Sequence, residues 1–188
     1  MSSIILNNPA PDFDIVDLET GLTSSFSTIA ENGKPSVVMF YATWCNSCIP
    51  AVEEFEMWSK HNIPTPYINF VLINVDKHIG NAIKFVSEPN LKTKKPRVCT
   101  EYRGDGDMPT VIHVGCEDIP EGYGVHVVPH KMVLDQNGIV VRNVDDFHWD
   151  DIAGLFKHRF EADNQCHWTP FLFQETMAAL GGGEQKVN

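Results

Sequence analysis

The first 33 residues of this 188-residue chain carry no lysine, arginine or histidine, and none of these occurs between Lys34 and Lys60 either. A secretory signal needs a basic leading segment and a transit peptide is rich in arginine, so neither is expected, and the expected location is cytoplasmic. No apolar stretch approaches the ~20 residues that span a bilayer, so no membrane role is expected. Positive charge is scarce overall: the net charge is −11, which excludes the broad basic surface that nucleic-acid binding requires. Cysteine is also sparse and odd in number. One close pair with three scattered members, Cys99, Cys116 and Cys166, does not make a structural disulfide framework. There is no internal repeat. With 43% hydrophobic and 21% charged residues, the chain reads as one ordinary globular domain over 1–188. The one local surplus of positive charge is Lys92-Thr93-Lys94-Lys95-Pro96-Arg97 with Arg103. It reads as a solvated loop, with a docking patch or nuclear address as the alternative.

Against this background, Trp44-Cys45-Asn46-Ser47-Cys48 stands out, directly behind the apolar run Val37 to Tyr41. Two thiols separated by two residues can close a small ring if a helix starts at the first of them. The helix N-terminus offers unpaired N–H groups and partial positive charge, which favours thiolate at Cys45. A zinc site would need further ligands at sensible spacing, and adjacent Cys166-His167 chelate poorly by themselves, so no metal is expected.

Periodicity supplies the frame. Residues 12–18 alternate polar and apolar as a half-buried strand does, and Glu19-Thr20-Gly21 turns the chain into a return strand at 22–26. Residues 27–32 predict a helical turn. Residues 36–41 have no polar face and read as a central strand. The spacing predicts a helix from Cys45 to about His61, with Val52 and Phe55 inward, Glu53, Glu54 and Glu56 toward water, and Pro64 and Pro66 beyond its end. A second buried strand is expected at 70–75, a short helix at 80–87, an exposed inserted loop at 89–109 and a third strand at 110–114. Two strands, 131–134 and 139–142, flank Asp135-Gln136-Asn137-Gly138, a strong hairpin signal. A last helix fits 150–160, and 163–188 reads as a tail.

The Trp-Cys-x-x-Cys helix, together with Tyr123-Gly124-Val125-His126-Val127-Val128-Pro129 before the hairpin, resembles the thioredoxin superfamily. Ala10-Pro11-Asp12-Phe13, Asp17-Leu18, Gly21 and Gly33-Lys34-Pro35 are similar to its redoxin branch, which includes tryparedoxin, nucleoredoxin and bacterial thioredoxin-like thiol–disulfide oxidoreductases. The likeness covers about 9–160, with 89–109 unmatched. It implies an α/β thioredoxin-like fold: a mixed central sheet flanked by helices, with an N-terminal β-hairpin and an inserted loop. It further implies Cys45 as nucleophile, Cys48 as resolving thiol, a cis Val128–Pro129 peptide against the pair, and Trp44, Val128 and Pro129 as substrate-binding residues. No cofactor is implied. The implied partners are disulfide-containing protein substrates and an upstream reductase or low-molecular-weight thiol.

The chain departs from that pattern in three places. The inner dipeptide is Asn46-Ser47 where thioredoxins usually carry Gly-Pro. Met39 occupies the position of a buried carboxylate, and Glu53 replaces a helix-kinking proline while Pro50 sits nearer the helix start. His130 is the candidate proton shuttle in place of the missing carboxylate. Two readings follow: a protein-disulfide reductase, or an interaction or redox-sensor module with little turnover. A peroxiredoxin fails because neither Cys45 nor Cys48 carries the upstream proline and threonine it needs.

Overall fold

The computed structural model describes residues 5–59, 68–91, 94, 97, 111–144, 147–150 and 152. In chain order the elements are β1 (Asp14–Asp17), β2 (Thr23–Ser25), α1 (Ser27–Ala30), β3 (Ser36–Tyr41), α2 (Cys48–Ser59), β4 (Asn69–Asn74), α3 (Ile79–Ser87), β5 (Ile112–Gly115), β6 (His130–Leu134) and β7 (Val140–Asn143). They form one seven-stranded sheet in the order β2-β1-β5-β4-β3-β6-β7. The three apolar runs make its parallel centre, with Val38 opposite Val71 and Ile73 opposite Val114. Both flanks are antiparallel: β6 on β3, and β1 on β5. This is the mixed α/β arrangement that the alternation of strands and helices implies.

Every residue of β3 and β4 is buried, as strands covered on both faces must be. On one face Phe55 of α2 meets Phe70 of β4 edge-on, with ring centroids 5.4 Å apart. Burying a phenylalanine in this way stabilises the fold by roughly 1.5–3 kcal/mol. On the other face Phe13, Phe26, Phe40 and Tyr123 form an aromatic cluster. Phe13 stacks on Phe26 at 5.0 Å, and Tyr123 stands edge-on to Phe40 at 5.4 Å. The Tyr123 hydroxyl donates to the Pro11 carbonyl, which joins the N-terminal segment to the stretch that leads into β6.

Turn chemistry sets the hairpins. Asp17 accepts the backbone N–H groups of Glu19 and Thr20 at 2.9 and 2.7 Å, and Gly21 follows at φ 73°. In the β6–β7 hairpin Asp135 plays the same part, accepting from Asn137 and Ile139. Gly138 there has φ 75°, and a Cβ on it would lie 3.3 Å from the Ala30 carbonyl oxygen.

Three expectations are corrected. The helix begins at Cys48, not Cys45. The residues between form a lead-in turn closed by the Cys48 N–H on the Cys45 carbonyl at 3.0 Å. Glu53 and Glu56 do not face water: Glu53 is buried, and Glu56 lies 3.3 Å from the Arg97 guanidinium and accepts from Asn90. The 89–109 segment is therefore not wholly a solvated loop. Arg97 is buried over the Phe85 ring at 4.4 Å and donates to the Glu88 carbonyl. A helical stripe read in isolation cannot anticipate a cation that returns from forty residues further along.

The chain divides into two compact units, Met1–His148 and Trp149–Asn188. All the labelled elements belong to the first. In the second, Trp149, Asp150 and Ile152 are helical; the rest of the expected 150–160 helix and the 163–188 tail lie outside the described residues, as do 61–67 and most of 89–109.

Candidate active site

β3 ends at Tyr41, and the chain turns before α2 can start. Two hydrogen bonds hold Thr43 to Asp76, which follows β4. The Thr43 N–H reaches Oδ1 at 3.1 Å and its hydroxyl reaches Oδ2 at 2.5 Å. The Cys45 N–H then bonds the Ala42 carbonyl at 3.2 Å. The parallel register explains this placement. Tyr41 pairs with Asn74, so residues two further along each strand arrive at the same end of the sheet.

The two sulfurs occupy different surroundings. Cys45 is half-buried, Cys48 is fully buried, and both are free thiols. Cys45 Sγ lies 3.2 Å from the Ser47 hydroxyl and, as a thiol, donates to the Val128 carbonyl at 3.4 Å. The Val128–Pro129 peptide is cis, as the resemblance implies. Both residues are half-buried, while neighbouring Trp44 and Val127 expose 71% and 68% of their surface, an apolar rim on either side of Cys45.

Electrostatics separate the pair. Partial burial opposes ionisation of Cys45, but hydrogen bonds from the Cys48 thiol, the Ser47 hydroxyl and the N–H groups of Cys48 and Ser47 outweigh it and hold its pKa below the ordinary thiol value. Burial pushes Cys48 up to about 12, helped by its bond to Cys45 and by the negative charges of Cys45 and Asp76. One thiol is disposed to ionise and the other to keep its proton.

The site residues read from the sequence thus fall into two groups. Trp44, Cys45, Cys48, Val128 and Pro129 come together. His130 is buried in β6 opposite Phe40, its Nε2 lies 2.7 Å from Asn143 Oδ1, and its ring stands edge-on to Phe40 at 5.9 Å. Burial lowers its pKa, against the Asn143 bond. Sequence reasoning missed Thr43 and Asp76, although a parallel register between β3 and β4 would have placed them side by side. Among the described residues, no group of three or more His, Cys, Asp or Glu is arranged to hold a metal ion, and no helix is long and apolar enough to cross a membrane.

This sheet, with its dithiol at the start of α2 and a cis-proline beside it, defines a thioredoxin-like fold. Comparison with solved structures agrees. The chain is similar to the thioredoxin domain of a thiol-disulfide oxidoreductase from Bacteroides vulgatus (16% identity, 81% of this chain and 96% of that one, TM-score 0.57). It is also similar to a thiol-disulfide oxidoreductase from Bacteroides fragilis (16%, 80% and 98%, 0.57) and to a thiol:disulfide interchange protein from a Bacteroides species (16%, 83% and 90%, 0.57). At such identities the shared property is the fold. No protein-family model and no curated protein matches the chain.

Proposed function

We propose that the protein is a thiol–disulfide oxidoreductase that reduces protein disulfides. The supporting observation is the asymmetric pair: a half-buried Cys45 with a lowered pKa beside the Val128 carbonyl, backed by a buried Cys48 that retains its proton. Cys45 thiolate attacks a substrate disulfide, one substrate sulfur leaves as a thiol, and a mixed disulfide forms. Cys48 then loses its proton and attacks Cys45 Sγ, which releases the second substrate thiol and leaves a Cys45–Cys48 disulfide. An upstream reductase or a low-molecular-weight thiol returns the two electrons. Trp44, Val128 and Pro129 form the docking surface, where an extended substrate chain adds to the exposed backbone beside Val128. The names of the structural neighbours fit this chemistry. A reducing cytoplasmic setting accords with an odd set of free thiols.

Dithiothreitol-driven reduction of insulin tests the proposal. The wild-type protein should accelerate it, and Cys45→Ser should return the rate to background; unchanged activity in that variant would refute the assignment. His130 as proton shuttle is tested separately. Its ring is engaged by Asn143, and unaltered Cys48 resolution in His130→Ala across about pH 5 to 8 removes it from the mechanism.

A redox-sensing or interaction module is the second reading, favoured by Asn46-Ser47 and by Met39 at the carboxylate position. A sensor oxidises reversibly without processing substrate, so turnover distinguishes the two.

A further inference from the structure

We propose that the cleft beside Thr43 docks a basic segment of the substrate polypeptide, so that the protein favours disulfides with lysine or arginine a few residues from the bridged cysteine. The inference rests on the dithiol reading above and deepens it by naming a substrate class.

The cleft lies where a substrate would pass. It has a volume of about 530 Å³, within the range of ligand sites, and reaches from Asn74 and Asp76 at the end of β4 to Asp14 on β1 and Thr23 on β2. Its inner end adjoins the exchange centre. Asp76 accepts both Thr43 hydrogen bonds, and Thr43 stands two residues before Cys45, at most about 7 Å along the chain. In the sheet, β4 and β6 flank β3 on opposite sides. A substrate strand that lies on Val128, just ahead of β6, and crosses Cys45 therefore heads for Asp76. At about 3.3–3.6 Å per residue, positions about three to five removed from the bridged cysteine come over the cleft.

The lining decides what the cleft takes. Asp76 is buried at the inner end, and Asp14, Glu117 and Asp118 are exposed along it. No lysine, arginine or histidine belongs to its walls; Lys77 and His78 follow Asp76 in the chain but lie outside them. Phe13, Val16 and Ile79 add apolar wall, on which the methylene stem of a lysine or arginine packs while its charged head stays in water.

Asn74, 1% exposed, is also part of the wall. Its Oδ1 accepts the Asp76 N–H, while its Nδ2 has no hydrogen-bond partner among the described residues. A backbone carbonyl carried in by a bound segment would give that donor its acceptor; a metal cation or a free amine would not. Carbonyl, aliphatic stem and positive head together describe a basic polypeptide segment. The net charge of −11 adds long-range attraction for such a partner and speeds their encounter at low salt.

The test uses the full-length chain and two cysteine-free fluorescent peptides, identical except that one carries three lysines where the other carries three glutamates. Binding is followed by anisotropy. The lysine peptide should bind roughly tenfold more tightly at low ionic strength, and the margin should shrink when sodium chloride is raised to about 0.5 M. Glu117→Gln combined with Asp118→Asn, both at exposed positions that the fold does not depend on, should bring the ratio down to about threefold or less. With each peptide bridged by a disulfide, the same preference should appear in reduction as a lower KM for the lysine form. Equal binding of the two peptides by the parent protein, or an undiminished preference in the double variant, would overturn the proposal. So would calcium chloride alone raising the unfolding temperature with no preference between peptides, which would make the cleft a cation site. Binding is read without turnover, so a failed insulin assay would sink the reductase reading and leave the cleft to be judged by the peptides.

Discussion

At the start of α2 the thiolate form of Cys45 is favoured by weak donors: the Cys48 thiol, the Ser47 hydroxyl and two backbone N–H groups. Further along the same helix the carboxylate of Glu56 forms an ion pair with the Arg97 guanidinium at 3.3 Å, with the Asn90 amide donating to it and the Phe85 ring beneath the cation. Among the described residues, a full positive charge stands at this static contact, whereas no cation contributes to the lowered pKa of Cys45. Two full charges at close range attract more strongly than a charge and a single neutral donor. The glutamate is therefore locked, whereas the thiolate is held by groups individually weak enough for small changes to tune. A strongly paired Cys45 would be a stable anion and a poor nucleophile.

The contrast can be broken at its strong end first. Arg97→Met removes the buried cation from the partly buried Glu56, and breaking a buried pair from one side costs about 3–5 kcal/mol. The expected result is a large drop in the urea midpoint, with the Cys45 alkylation profile of the folded protein unchanged. A loss under about 1 kcal/mol would show that the pair behaves like an exposed one.

His113 sharpens the same end through pH. Burial, then the Arg97 charge, push its pKa down to about 4 from an ordinary 6.5. Between those values the unfolded chain takes up a proton that the folded protein refuses, so stability falls as the pH drops through that window and is fully kept above it. Urea midpoints measured from neutrality down to pH 4 should show this slope, and His113→Leu should flatten it.

At the weak end, Ser47→Ala removes one of several donors to Cys45. Losing a bond to the charged form raises the pKa, so the Cys45 alkylation profile should move to higher pH by less than about one unit. No movement would assign the lowered pKa to Cys48 and the backbone alone. The smallest effect is expected for Lys131→Ala. Its 3.0 Å contact with Glu54 is partly exposed and should contribute under about 1 kcal/mol to the denaturation midpoint.

Much of this arrangement was legible in the residues themselves. Val37 to Tyr41 has no polar position and became the fully buried β3. The Asp135 to Gly138 turn lies between β6 and β7 as its chemistry requires, whereas the cis Val128–Pro129 peptide was implied only by the resemblance. What escaped was non-local. The start of α2 moved to Cys48 because the N–H of that residue closes a turn on Cys45 before helical bonding begins. Glu56 looked solvated because Arg97 lies in a segment with no periodicity of its own. A lone Asp76 behind a strand carries no local signal, and only the pairing of Tyr41 with Asn74 brings Thr43 to it. His130, conspicuous beside Pro129, stands edge-on to Phe40, a contact that only the pairing of β6 with β3 reveals.

The antiparallel seat of β1 on β5 has a practical consequence for anyone trimming this molecule. Val16 and Asp17 satisfy the backbone of Gly115 and Val114, and β2 in turn flanks β1. A truncation beginning at β3 would strip both strands away and leave the outer margin of β5 with a row of bare amides and carbonyls. Such a margin recruits strands from other molecules, so a shortened version should precipitate or swap segments even with its dithiol intact.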